Sequence, residues 1–66
     1  MKNLKIGSRI VSPTHKVYEV TEIHNDGSIT VKWEVYSSLT GWNYPTEVWK
    51  KERVSLIMNS NYKINY

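Results

Sequence analysis

The chain has no cysteine and no phenylalanine, only two prolines, and three widely separated glycines among its 66 residues. Without cysteine there is no disulfide, no thiolate-bound metal and no thiol nucleophile. Gly7, Gly27 and Gly41 lie too far apart to cradle a phosphate, and no Gly-x-Ser-x-Gly elbow is present. His15 and His24 sit beside polar turns without ligand spacing around them, and the six acids are scattered. These absences argue for a non-enzymatic protein with no cofactor, no metal and no evident small-molecule substrate. No apolar run approaches membrane-spanning length, and the opening Met1-Lys2-Asn3-Leu4-Lys5 leads into nothing like a signal peptide. The expectation is a soluble, cytoplasmic protein with no membrane partner.

Sixty-six residues make one domain. A chain this short buries only roughly 60% of its unfolded surface, so its stability is marginal unless a compact barrel or a partner supports it. The net charge is +3, with +2 in residues 1–33 (five cations, three acids) and +1 in residues 34–66 (four cations, three acids). A pI near 9.3 meets the criterion for a basic nucleic-acid domain, although so even a spread also describes ordinary solvated surface. Lys, Asn, Ile and Tyr, whose codons are AT-rich, supply 24 residues (7, 6, 6 and 5), as in a low-GC bacterium or its phage.

Residues 17–36 organise the chain. Ile29, Val31, Trp33 and Val35 alternate with Thr30, Lys32, Glu34 and Tyr36, a period of two that predicts a half-buried strand. Asn25-Asp26-Gly27-Ser28 precedes it as a hairpin turn, with Gly27 free to take positive φ. That turn pairs Ile23 with Ile29 and Glu22 with Thr30. The preceding run, residues 17–23, breaks parity: either a bulge near Thr21 or Glu22 brings Val20 and Ile23 to one side, or Tyr18 and Val20 face a second, minor cluster. Ahead of it, Gly7-Ser8 leads into a short strand, Arg9-Ile10-Val11-Ser12, which Pro13 ends.

Downstream, residues 37–43 form the longest loop, and Trp42-Asn43-Tyr44 begins a fourth strand that Pro45 confines to an edge or bulge. For residues 46–53 a short helix capped by Thr46 competes with a strand through Val48 and a 3₁₀ turn over residues 50–53; we expect the latter. Val54, Leu56 and Met58 alternate as a fifth strand. Residues 59–66 are a C-terminal tail or an extra edge strand, outside a domain spanning residues 1–58.

In this order the motifs Lys5-Ile6-Gly7-Ser8-Arg9-Ile10-Val11, Val17-Tyr18-Glu19-Val20 and Asp26-Gly27-Ser28-Ile29-Thr30-Val31-Lys32-Trp33, closed by residues 48–57, resemble the small SH3-like barrels: Tudor, chromo-like and KOW-type modules. The resemblance covers residues 4–58. It implies an all-β fold, a small five-stranded, strongly bent antiparallel barrel, serving to bind nucleic acid or a peptide.

The aromatic residues carry the functional argument. Trp33 belongs to the inward set. Tyr36, Trp42 and Tyr44 could gather at one mouth to stack bases, cage a cation, or cover the end of the core. Trp49 lies beside Lys50, Lys51, Glu52 and Arg53, a mixture suited to phosphates and stacking or to a solvated turn, and Lys32 and Arg9 extend it if the fold places them alongside. Two readings follow. One is a nucleic-acid-binding module in which Lys32, Lys50, Lys51 and Arg53 meet phosphates while Tyr36, Trp42 and Tyr44 stack. The other is a protein-interaction module, such as a phage-type regulator or inhibitor of a host protein. Homo-oligomerisation through edge strands remains a third possibility.

Overall fold

The structure, a computed structural model, describes residues 4–66; Met1, Lys2 and Asn3, part of the opening stretch and of the 1–58 domain considered above, lie outside the described residues. The elements run β1 (Arg9–Val11), β2 (Val17–Ile23), β3 (Ile29–Lys32), β4 (Val35–Ser37), β5 (Gly41–Asn43), β6 (Thr46–Trp49), α1 (Lys51–Met58) and β7 (Lys63–Asn65).

The β2–β3 hairpin has the expected register, Ile23 opposite Ile29 and Glu22 opposite Thr30. Asp26 Oδ1 accepts the Ser28 hydroxyl at 2.6 Å and the Ser28 N–H at 2.9 Å, and Gly27 takes φ +90°. The expected bulge is also present: register shifts between Val20 and Glu22, so that Val20 comes opposite Val31 with both fully buried. The segment before β1 holds Val20 from the other side. Gly7 N–H donates to the Val20 carbonyl at 2.8 Å, and Val20 N–H donates to the Ser8 carbonyl at 2.9 Å.

The five-stranded sheet has the order β6-β3-β2-β1-β7, antiparallel throughout. This small all-β domain corrects one expectation: the barrel does not close, because β6 and β7 end the sheet on opposite edges without pairing. Residues 59–66 carry the edge strand β7 on β1.

A second correction concerns residues 50–58. In place of a 3₁₀ turn and a fifth strand, Lys51–Met58 is α-helical. Over eight residues the two periods compete. Alternation would bury Val54, Leu56 and Met58, whereas the helical spacing i, i+3, i+4 selects Val54, Ile57 and Met58. The helix prevails: Ile57 is buried, Val54 packs on the core, and Leu56 is 73% exposed. Asn59 and Ser60 satisfy the C-terminal carbonyls of Ser55 and Ile57. The core over which α1 lies consists of Ile10, Val20, Ile29, Val31, Trp49 and Ile57.

The helix begins without a side-chain cap. Lys50 holds the N-cap position at φ −66°, ψ 158°, and Lys51 and Arg53 add cations where the helix dipole disfavours them. Lys50→Asp is expected to raise stability by about 1 kcal/mol through capping, seen as a higher urea midpoint; an unchanged midpoint counts against this account.

The two Ser28 hydrogen bonds to the ionised Asp26, the hydroxyl's first, hold its carboxyl below the ordinary aspartate range. A depressed carboxyl contributes its stability above the unfolded-state value and loses it as the pH falls through the folded-state value. Asp26→Asn should therefore give a shallower loss of stability on acidification below about pH 4, measured by urea titrations across that range.

Candidate functional site

The ribbon containing the exposed aromatics is an extension of β3 and β6. Lys32 faces Thr46, and three residues further along each strand Val35 faces Asn43. No residue is inserted or dropped, and Trp33 N–H donates to the Pro45 carbonyl across the gap at 3.2 Å. One register therefore runs from the Ile29–Trp49 pair to the Ser37–Gly41 pair. Beyond Lys32 no third strand among the described residues flanks the ribbon, since β2 pairs with β3 only as far as Glu19 opposite Lys32.

The period of two places Lys32, Glu34 and Tyr36 on one face of this ribbon, with Thr46, Tyr44 and Trp42 across from them. The Tyr36 and Trp42 rings meet edge to face at 5.4 Å. Tyr36, Trp42 and Tyr44 are 64%, 59% and 57% exposed, and Leu39 at the tip is 93% exposed. Short local bonds stiffen the tip: Leu39 N–H donates to Ser37 Oγ, and the Asn43 amide donates to Thr40 Oγ1 at 2.8 Å. Residues 35–46 carry no charge.

The remaining candidates lie elsewhere. Trp49 is 1% exposed in the core, packed against Tyr18 at 4.9 Å, so its ring is closed to a ligand. It is directed inward because it pairs with Ile29 on the core face of the sheet. Arg53 lies over the Trp49 ring at 5.1 Å and bonds Glu47 at 2.9 Å. The Lys51 stem runs along Gly27, 3.2 Å from where a Cβ would sit, and Lys50 is exposed. From the Ile29–Trp49 pair to the Tyr36–Trp42 pair is seven residues, about 23 Å of strand. Lys50, Lys51 and Arg53 are thus at the opposite end of the ribbon from the exposed rings.

Lys32 belongs to a different group. It bonds Glu19 at 3.7 Å on the outer face of the sheet, where a cleft of about 500 Å³ opens between the sheet and the ribbon. Arg9, Lys16 and Lys32 bring cations to it, and Trp33 and Tyr44 bring rings. The sequence attached Arg9 and Lys32 to the patch around Trp49 and residues 50–53, whereas the structure sets both at this cleft, away from that patch; Lys16 was not singled out. Its signal was the loop ending at Val17, which returns the chain beside β1.

Among the described residues no three His, Asp or Glu side chains gather as a metal site, and no helix is long and apolar enough to cross a membrane. No protein-family model matches the chain, and neither a curated protein nor a solved structure does.

The two tryptophans separate packing from surface roles. Trp49→Ala is expected to cost about 3–5 kcal/mol, enough to unfold a domain of this size. Trp42→Ala should cost roughly 1 kcal/mol, the loss of one cross-strand aromatic pair. Thermal melts followed by circular dichroism compare them, and equal losses would contradict this division.

Proposed function

We propose that the protein is a non-enzymatic binding module that docks on another protein through the ribbon of residues 35–44. The observation carrying this reading is a projecting, uncharged two-stranded ribbon with Tyr36, Leu39 and Trp42 exposed. Tyr and Trp offer large contact area for few rotatable bonds, and Ser, Gly and Asn offer adaptable hydrogen bonds, the combination found in binding loops. Buried aromatic anchors dominate interface energies. The outer edges of β4 and β5 are unpaired in the sheet arrangement, so each is open to an added strand. A partner suited to this surface has an apolar pocket and little charge.

The order of a bulged β2–β3 hairpin, a leading β1 and a covering α1 also supports an opened variant of the SH3-like barrel. The nucleic-acid reading retains one supporting observation, the cationic cleft that Tyr44 shares with Arg9, Lys16 and Lys32. Lys50, Lys51 and Arg53 give it no support at Tyr36 and Trp42, being about 23 Å along the ribbon.

Affinity capture from nuclease-treated lysate is expected to retain one stoichiometric protein, and Tyr36→Ser with Trp42→Ser to lose it while the fold persists by circular dichroism. Equal capture by the variant counts against the ribbon. Self-association that the variant abolishes, seen by light scattering, makes the occupant a second copy and overturns the proposal.

A further inference from the structure

The outer-face cleft carries an arrangement that the ribbon reading leaves unused. On adjacent strands Arg9, Glu19 and Lys32 form one cross-strand row, Arg9 opposite Glu19 and Glu19 opposite Lys32. The single carboxylate is in ion-pair range of Lys32, which leaves the Arg9 guanidinium with no carboxylate partner among the described residues. The cation of Lys16 likewise has none. Its Nζ rests on ring faces instead, 4.7 Å from the Trp33 centroid and 5.3 Å from that of Tyr18.

The loop that delivers Lys16 is rigidly stitched. Ser12 Oγ accepts the Lys16 N–H at 3.0 Å and shares a hydrogen bond with Thr14 Oγ1 at 2.9 Å, while Ser12 N–H donates to the Lys16 carbonyl. It holds His15, at the cleft, in the left-handed region at φ 68°. Backbone strain of this kind persists only where surroundings impose it, and it concentrates at ligand sites.

We infer that this cleft binds a nucleotide unit, a phosphate ester joined to an aromatic base. The phosphate has its charge met by Arg9 and Lys16, the two of the cleft's Arg9, Lys16 and Lys32 that have no carboxylate partner among the described residues. The base has the faces of Tyr44 and Trp33 for stacking. Glu34, also at the cleft, is an acceptor for ribose hydroxyl or base amino donors, and it disfavours an anion with no donors of its own. A volume of about 500 Å³ falls in the range of small-molecule sites. Engagement of phosphate draws Lys16 off the Trp33 face and exposes that face to the base, so Trp33 fluorescence follows occupancy. Free mononucleotide and a nucleotide within a single strand present the same chemistry.

The test uses the full chain carrying Trp42→Phe, to lower the background emission, and titrates adenosine monophosphate, adenosine, inorganic phosphate and a short single-stranded oligoadenylate. Adenosine monophosphate is expected to quench the fluorescence with a millimolar or lower Kd, about tenfold tighter than adenosine or phosphate alone. Arg9→Gln and Lys16→Gln should each weaken it about fivefold or more, whereas Tyr36→Ser leaves it unchanged. Tighter binding of the oligonucleotide per site identifies a strand as the source, and equal binding identifies the free nucleotide; both support the site. Phosphate binding as well as the nucleotide, or insensitivity to Arg9→Gln in a folded variant, overturns it. Loss of the ribbon's protein partner in the Tyr36→Ser variant is a separate result and leaves this one standing.

Discussion

The pairing of Val20 with Val31 is the constraint on which the rest of the molecule depends. Both side chains are fully buried, and they can face each other only because one residue is bulged out between Val20 and Glu22. A one-residue slip in a strand pair sends every side chain to the wrong face. The turn at residues 24–28 sets the register from one end, through Ile23 and Ile29, and the bulge resets it three residues later. Val20 is held on its other side by backbone bonds to Gly7 and Ser8, so the strand cannot relax the bulge by sliding. Gly7 and Val20 thereby connect the lead-in segment to the centre of the sheet.

From that pairing the ribbon follows. β2 supports β3 only as far as Lys32, but the inward-outward alternation of the chain continues to Tyr36. The strand therefore runs past the edge of its neighbour and has only its returning partner to pair with. Pro45, which has no N–H to donate, stands at the point of departure. A two-stranded ribbon is marginal alone in water. This one persists because it shares its register with the β3–β6 pair and because Tyr36 and Trp42 close on each other at its outer end.

Local signals were legible in the sequence wherever one alternation or one turn decided the outcome. Asn25-Asp26-Gly27-Ser28 specified its hairpin, and the broken parity of residues 17–23 located the bulge. Residues 51–58 were not legible, because eight residues satisfy a strand and a helix alike, and tertiary packing of Ile57 made the choice. Trp49 was misassigned to the surface for a related reason. Its neighbours Lys50, Lys51 and Arg53 are charged, and the fact that Ile29 lies opposite it is non-local. For Tyr36, Trp42 and Tyr44 the sequence left open whether they form a surface or cover the end of the core; all three are exposed, and their separation from Lys50 and Lys51 depends on the length of the ribbon, which the expectation of a closed barrel concealed.

The aromatic rings divide according to what they have already satisfied. Tyr18 meets Trp33 at 5.5 Å and Trp49 at 4.9 Å, both edge to face, and Lys16 and Arg53 lie over the ends of that row. These three rings pack edge to face along one row, and the cations beside them are supplied by the chain itself. Tyr36, Trp42 and Tyr44 contribute little to the core, so moving them inward is not what the fold requires. Exposed strand edges are usually guarded against unwanted pairing by charge or by proline. The ribbon has no charge between residues 35 and 46, and its one proline, Pro45, lies at its base. An edge left this open is a liability in isolation, and the proposed docking role accounts for its retention.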